Sequence, residues 1–187
     1  MRMKRSKALK LSLMGASALT LVACDNSQEV GVFETLDQCI DQAGFSRDIC
    51  EANQKKAQSE HVRVAPKYTS ISDCETDFGS EKCETAPQRT TSGGSVFMPM
   101  MMGYMMGNML GGNSRFSAQP LYRSRDDSRN FRTGDNQKVS GKTGVTKVAG
   151  QTARAASTKT RTIRRGGFGS SARASTGRFR SFRGFGG

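Results

Sequence analysis

The chain has 187 residues, a formal net charge of +13, 21 glycines, no tryptophan and 35% hydrophobic residues. That length suits one ordinary domain, but so little apolar side chain excludes a core running through the whole sequence. The charge is also uneven: residues 1–23 carry five basic groups and no acid, residues 24–92 carry seven basic against thirteen acidic, and residues 93–187 carry seventeen basic against three acidic. Such asymmetry points to a small acidic folded part joined to a basic tail.

The amino terminus reads "MRMKRSKALK", then the apolar run "LSLMGASALTLVA", then Cys24. A basic segment before about 13 apolar residues is a secretory signal, too short for a bilayer core of roughly 30 Å. Leu21-Val22-Ala23-Cys24 resembles the bacterial lipobox, which implies cleavage after residue 23 and lipidation of the Cys24 thiol, palmitate included. At about 0.8 kcal/mol for each buried methylene, the acyl chains would make attachment effectively permanent. Asp25 and Asn26 then become sorting residues. Asp at the first of these positions resembles the inner-membrane retention signal of enterobacterial lipoproteins. Residues 24–34 are expected to be an anchor linker.

Residues 35–88 hold Cys39, Cys50, Cys74 and Cys83. Four cysteines in an exported chain read as two disulfides, because the compartment is oxidising. A repeat is visible: "LDQCIDQAGFSRDICE" is echoed by "ISDCETDFGSEKCE". The spacing favours local pairing, Cys39–Cys50 and Cys74–Cys83, over the crossed pairing Cys39–Cys83 with Cys50–Cys74. Each copy opens on a capping box, Thr35-x-x-Gln38 and Ser72-x-x-Glu75, with Ser46 and Ser80 as caps of second short helices. Two stapled helical pairs are therefore expected, each bridge contributing roughly 3 kcal/mol. "EANQKKAQSEHVRVA" extends the helix after Cys50 towards Pro66 and leaves His61 facing solvent. No C-x-x-C is present and His61 is the single histidine, which speaks against zinc and redox chemistry.

After a linker at 89–95, residues 96–112 read "VFMPMMMGYMMGNMLGG" and contain Met98, Met100, Met101, Met102, Met105, Met106 and Met109. Thioethers are ligands for Cu(I), but contiguous methionines interleaved with Phe97, Tyr104 and Leu110 also make generic apolar filler. Gly103, Gly107 and Gly111 recur every four residues, which on a helix gives a groove without side chains. The expectation is an apolar packing helix, pairing with a second copy or contacting membrane through these glycines and through Met98, Met102, Met105, Met106 and Met109, with a buried core helix beneath the disulfide region as the alternative.

Residues 113–187 are rich in Ser, Thr, Gly and Arg and lack sustained periodicity, so they are expected to be a disordered cationic tail. "RRGGFG" and "GRFRSFRGFGG" interleave Arg, Phe and Gly. In the cytosol this pattern would suit RNA. Behind a lipobox it suits anionic lipid or an acidic envelope polymer, and nucleic acid is not expected.

Taken in order, the lipobox, the first Cys pair, "APKY" at Ala65–Tyr68, "DCETDFGSEKCETAP", "MPMMMGYMMGNMLGG" and "RRGGFG" resemble the YgiB-like family of bacterial lipoproteins, which has no assigned biochemical activity. The similarity runs from Cys24 to Pro120 and returns at Arg165–Gly169. Its members are often encoded beside an ATP-grasp ligase, which implies a peptide or polyamine context and supplies no catalytic residue. The expected protein is thus mainly α: a small disulfide-stapled helical region, one Met/Gly-rich helix, and a disordered final third or more. It is expected in the cell envelope, lipid-anchored and facing the periplasm, with the inner membrane favoured. Its expected role is non-enzymatic binding, scaffolding or tethering, without cofactor or metal. The rival readings are Cu(I) handling through the Met cluster and an accessory subunit of an envelope enzyme.

Overall fold

The structure is a computed structural model and describes residues 26–107, 118–158, 162–163, 167–170 and 172. In chain order the elements are β1 (Ser27–Phe33), α1 (Leu36–Ala43), α2 (Arg47–Val64), β2 (Lys67–Tyr68), α3 (Ile71–Phe78), β3 (Cys83–Arg89), β4 (Ser95–Pro99), β5 (Gly103–Gly107), β6 (Gln119–Ser124), β7 (Asp127–Arg132), β8 (Gly144–Ala149), α4 (Gly150–Ala153) and β9 (Thr162–Ile163). The molecule is mainly β, not mainly α. A five-stranded antiparallel sheet has the order β7-β6-β5-β1-β8, and a four-stranded sheet has the order β3-β4-β2-β9. The second sheet is antiparallel except where β2 and β9 run parallel.

The methionine segment is where the helical expectation fails. It forms β4 and β5, joined by a short crossing from one sheet to the other. Residues four apart share a face on a helix, but four is also a multiple of the strand period of two, so the spacing of Gly103 and Gly107 fits either element. Pairing decides between them. β5 lies between β1 and β6, with Val32 opposite Met105 and Phe33 opposite Tyr104. Met105 packs with Val30, Val32, Leu121 and Phe131 on one face, while Tyr104 and Met106 pack with Phe33, Cys39 and Cys50 on the other. A strand covered on both faces needs no polar alternation, and this is why the methionines are contiguous. Gly103 admits close backbone approach rather than a helical groove: a Cβ there would lie 2.8 Å from the Phe33 carbonyl oxygen and 3.2 Å from the Phe131 ring.

Two further expectations change for the same reason, long-range pairing. Residues 27–33, read as linker, form β1, which pairs with β8 from Ser27–Ala149 to Val32–Gly144. Residues 113–187, read as disordered, supply β6, β7, β8 and α4. Among the described residues of this stretch, Leu121, Tyr122 and Phe131 are fully buried.

The helical expectations hold in part. α1 is capped by Thr35, whose hydroxyl accepts from the Gln38 amide at 3.2 Å, and it ends on Gly44 in the left-handed region. α2 begins after Ser46, whose side chain makes no capping bond, and runs to Val64. α3 is capped by Ser70, two residues before the expected Ser72, with the Asp73 amide donating to its hydroxyl at 3.1 Å. No helix follows Ser80; the chain turns through Glu81, at φ 62°, into β3. The disulfides join Cys39 to Cys50 and Cys74 to Cys83, so the pairing is local. The first bridge lies under α1 and α2 beside the Met106 sulfur, 3.6 Å from the Cys39 sulfur. The second ties α3 to β3.

Candidate ligand-binding site

Three polar arrangements interrupt the apolar packing. The first surrounds His61, which α2 carries into the interior instead of towards solvent: it is 7% exposed. Its Nε2 lies 3.0 Å from a Glu84 carboxylate oxygen and its Nδ1 lies 2.9 Å from the Tyr122 hydroxyl. A carboxylate can only accept, so Nε2 carries the proton and Nδ1 accepts from Tyr122. Burial, followed by the nearby Lys67 charge, lowers the ring's pKa below its ordinary 6.5 despite the opposing pull of Glu84. Lys67 is also buried; its ammonium donates to the Val62 carbonyl at 2.7 Å, and burial lowers its pKa. Tyr122 is fully buried as well, and the group reaches solvent through Glu84, whose side chain is 42% exposed. Both ring nitrogens of His61 already have partners inside the protein, so this cluster reads as a satisfied structural network.

The second arrangement secures Gly167–Ser170. Asp77, at the end of α3, receives the Tyr68 hydroxyl at 2.9 Å and the amides of Gly167 and Phe168 at 3.1 and 3.2 Å. Phe168 is 2% exposed, with its ring centroid 4.8 Å from that of Phe78 and 6.2 Å from that of Tyr122. Asn136 exchanges two hydrogen bonds with the Gly169 backbone, and the Arg132 guanidinium donates to Ser170 and Asp127 at 2.8 Å. The Asp127 carboxyl is held below its ordinary range by the Asn130 amide first and then by Arg132. Gly169 has φ +88°, and a Cβ there would collide with the Asp126 carboxylate. The Gly-Phe-Gly of "RRGGFG" is therefore a core plug, not part of a loose tail.

The third arrangement is open to solvent. Where the chain crosses from β4 to β5, a pocket of about 210 Å³ forms with Phe78, Met100 and Met102 as its apolar part. Lys82, Arg123 and Arg125 line it together with the hydroxyl-bearing Ser124 and Ser128. Backbone bonds fix the crossing: the Met100 amide donates to the Lys82 carbonyl, and the Met102 amide to the Leu121 carbonyl, both at 2.8 Å. Arg123 is pre-positioned by Glu34 at 2.8 Å and by the Phe131 ring, whose centroid is 4.0 Å from the guanidinium carbon. Its Nε is buried and has no hydrogen-bond partner among the described residues. Lys82 and Arg125 are exposed and form no ion pair among the described residues. The pocket therefore joins a positive rim to a thioether and aromatic floor.

A model of one protein family matches residues 27–178, from β1 past the Phe168 plug; its description is "protein of unknown function (DUF1190)". The chain belongs to the DUF1190 family. No solved structure matches this DUF1190 member.

The residues singled out in the sequence are dispersed in this DUF1190 fold. Met98 packs around Tyr68 and Phe78, Met102 and Met105 pack around Leu121 and Phe131, and Met106 packs against the first disulfide. These sulfurs fill separate clusters and do not converge on one ion. Met100 and Met102 do share the pocket, but its cationic rim is unfavourable for Cu(I). Gly103 and Gly107 lie in β5. Cys24, Asp25, Met109 and Gly111 lie outside the described residues. Asn26 lies just before β1, where its carbonyl accepts from the Gly150 amide at 2.8 Å. Among the described residues no helix is long and apolar enough to cross a membrane. The pocket residues Lys82, Arg123 and Arg125 were not legible from local pattern, because Lys82 precedes β3 and meets the end of β6 only once the sheets form.

Proposed function

We propose that the chain is an exported, lipid-anchored protein of the cell envelope whose β body is a binding or scaffolding module and not a catalyst. The observation that carries this reading is the pair of disulfides, both joined locally and both inside apolar clusters. Two such bridges belong to an oxidising compartment. The lipobox ending in Cys24 is the second support, and in this reading the family is the YgiB-like lipoproteins.

The anchor also orients the body. With only Asp25 between Cys24 and Asn26, the chain allows the lipidated residue a reach of at most about 7 Å from the start of the fold. Lys147 and Arg154 line the shallow depression around Asn26 and Ser27, so the β1–β8 edge would face the head groups with positive charge outward. Asp25 suits retention at the inner membrane, and anionic lipid or an acidic envelope polymer is the partner expected of the remaining basic segment. Fractionation of cells expressing the chain and Cys24→Ser tests the anchor. The parent is expected in the membrane pellet, with Cys24→Ser released to the soluble exported fraction. Equal recovery of both in the cytoplasm would refute the proposal.

A further inference from the structure

We infer that the pocket at the β4–β5 crossing binds an anionic amphiphile, its acidic head between Lys82, Arg123 and Arg125 and a short apolar portion on Phe78, Met100 and Met102. The inference deepens the reading of the β body as a binding module and is independent of the lipid anchor.

Four observations support this assignment. The first is charge. Arg123 is neutralised by Glu34, whereas Lys82 and Arg125 have no ion-pair partner among the described residues, although Arg125 also borders a second pocket lined by Asp77 and Asp126, so the rim is net positive mainly through Lys82 and Arg125. The second is the Arg123 Nε, a buried donor that has no acceptor among the described residues. Leaving such a donor unmatched costs about 1–3 kcal/mol, so Arg123 is an under-satisfied cation, although the shielded Nε is not itself a ligand contact. The third is preorganisation. The ion pair with Glu34 and the Phe131 ring hold Arg123 in place before any ligand arrives, which reduces the entropy lost on binding. The fourth is the floor. Met100 is 41% exposed although its neighbours Met105 and Met106 are each 1% exposed, and a pliable thioether beside an aromatic ring suits an alkyl chain. A cavity of about 210 Å³ accommodates a small acidic group and several carbons, not a folded polymer.

Each half of the pocket selects a property. The cations discriminate against neutral and cationic amphiphiles, and the floor discriminates against small inorganic anions. A soft cation fails on the first criterion and free phosphate on the second. Both criteria are met by a phosphate or carboxylate carried on an alkyl or acyl body.

The test uses the full chain with 13C-labelled methionine methyl groups, so that binding is read at Met100 and Met102 and not at the basic segments. Octyl phosphate, below its micelle concentration, is expected to shift those two methyl signals saturably and leave Met105 and Met106 unmoved. Inorganic phosphate, octanol and octyltrimethylammonium are each expected to bind at least about tenfold more weakly. Lys82→Glu with Arg125→Glu, both at exposed positions, should weaken octyl phosphate about tenfold or more, with unchanged Met105 and Met106 signals reporting an intact fold. The inference is overturned if octyl phosphate leaves Met100 and Met102 unmoved, if octyltrimethylammonium or octanol binds equally well, or if inorganic phosphate alone matches it. Unchanged affinity in the charge-reversed variant would overturn it too. Because the same titration can be run on Cys24→Ser, failure here is separable from failure of the anchor.

Discussion

The two cysteine units begin alike and end differently. Both open on a capped eight-residue helix with its cysteine at the fourth position, and both close a short bridge, with sequence separations of 11 and 9. In the first unit Gly44 takes the left-handed conformation, the chain re-enters a helix at Arg47, and helix formers carry it to Val64. In the second, Gly79 is followed by a tight turn, and "CETAPQR" contains a proline and too few helix formers to nucleate a helix, so it pairs with β4. The Cys-Glu step shows the divergence on one residue. Glu51 makes only a 3.9 Å pair with exposed Lys55, whereas Glu84 receives His61 at 3.0 Å. The staple fixes the distance between two points; the residues after it choose helix or strand.

The aromatic residues offer the sharpest way to break this comparison. Phe45 follows its glycine and is half-buried, while Phe78 precedes its glycine and packs against Tyr68, Tyr122 and Phe168. Phe78→Ala is expected to cost about 3–5 kcal/mol in urea unfolding and Phe45→Ala about 1 kcal/mol. Equal losses would mean that the two units share one role.

Next come the bridges. Replacing either cysteine pair with alanine should cost about 3 kcal/mol, since the closed loops are nearly equal in length. The variants should part company in binding: only loss of Cys74–Cys83 loosens Phe78 and Lys82, so only that variant should lose octyl phosphate affinity. If the first pair mattered as much to binding, the pocket would not belong to the second unit.

A smaller effect separates the buried His61, which Glu84 receives, from the exposed Glu51. Because the folded pKa of His61 is depressed, the unfolded chain takes up the proton first as pH falls below the ordinary 6.5. Stability from this residue is therefore complete above that pH and declines below it, by at most about 1.4 kcal/mol per pH unit. His61→Gln should remove this slope from urea midpoints measured between pH 7 and 5, while Glu51→Gln should leave it intact. A slope that survives His61→Gln would assign the acid sensitivity elsewhere.

The caps give the smallest difference. Thr35→Ala and Ser70→Ala should each cost about 1 kcal/mol, because both hydroxyls accept a helix amide. Ser46→Ala should cost a few tenths at most, since that side chain makes no capping bond.

What could be read from the sequence was local. Cysteine spacing, the Thr35 cap and the helix after Cys50 all depend on residues within about a dozen positions of one another. The strands depend on distant partners. β1 is held by residues 104–107 and 144–149, and the composition around Val145 gives no hint that Thr146 faces Val30. The glycine spacing in the methionine segment was consistent with two elements, and only the neighbours of β5 distinguish them. His61 seemed solitary because Glu84 and Tyr122 lie 23 and 61 positions away. The plug at Phe168 was hidden in a basic, glycine-rich context that gives no periodic signal.

The most direct test of the account is peptide mass mapping, without reduction, of the full chain recovered from cells. The predicted result is an amino-terminal peptide beginning at lipid-modified Cys24, with Cys39 linked to Cys50 and Cys74 linked to Cys83. Free thiols at those four positions with an unmodified Cys24 would contradict both the export and the anchor, and crossed disulfides would contradict the two-unit fold.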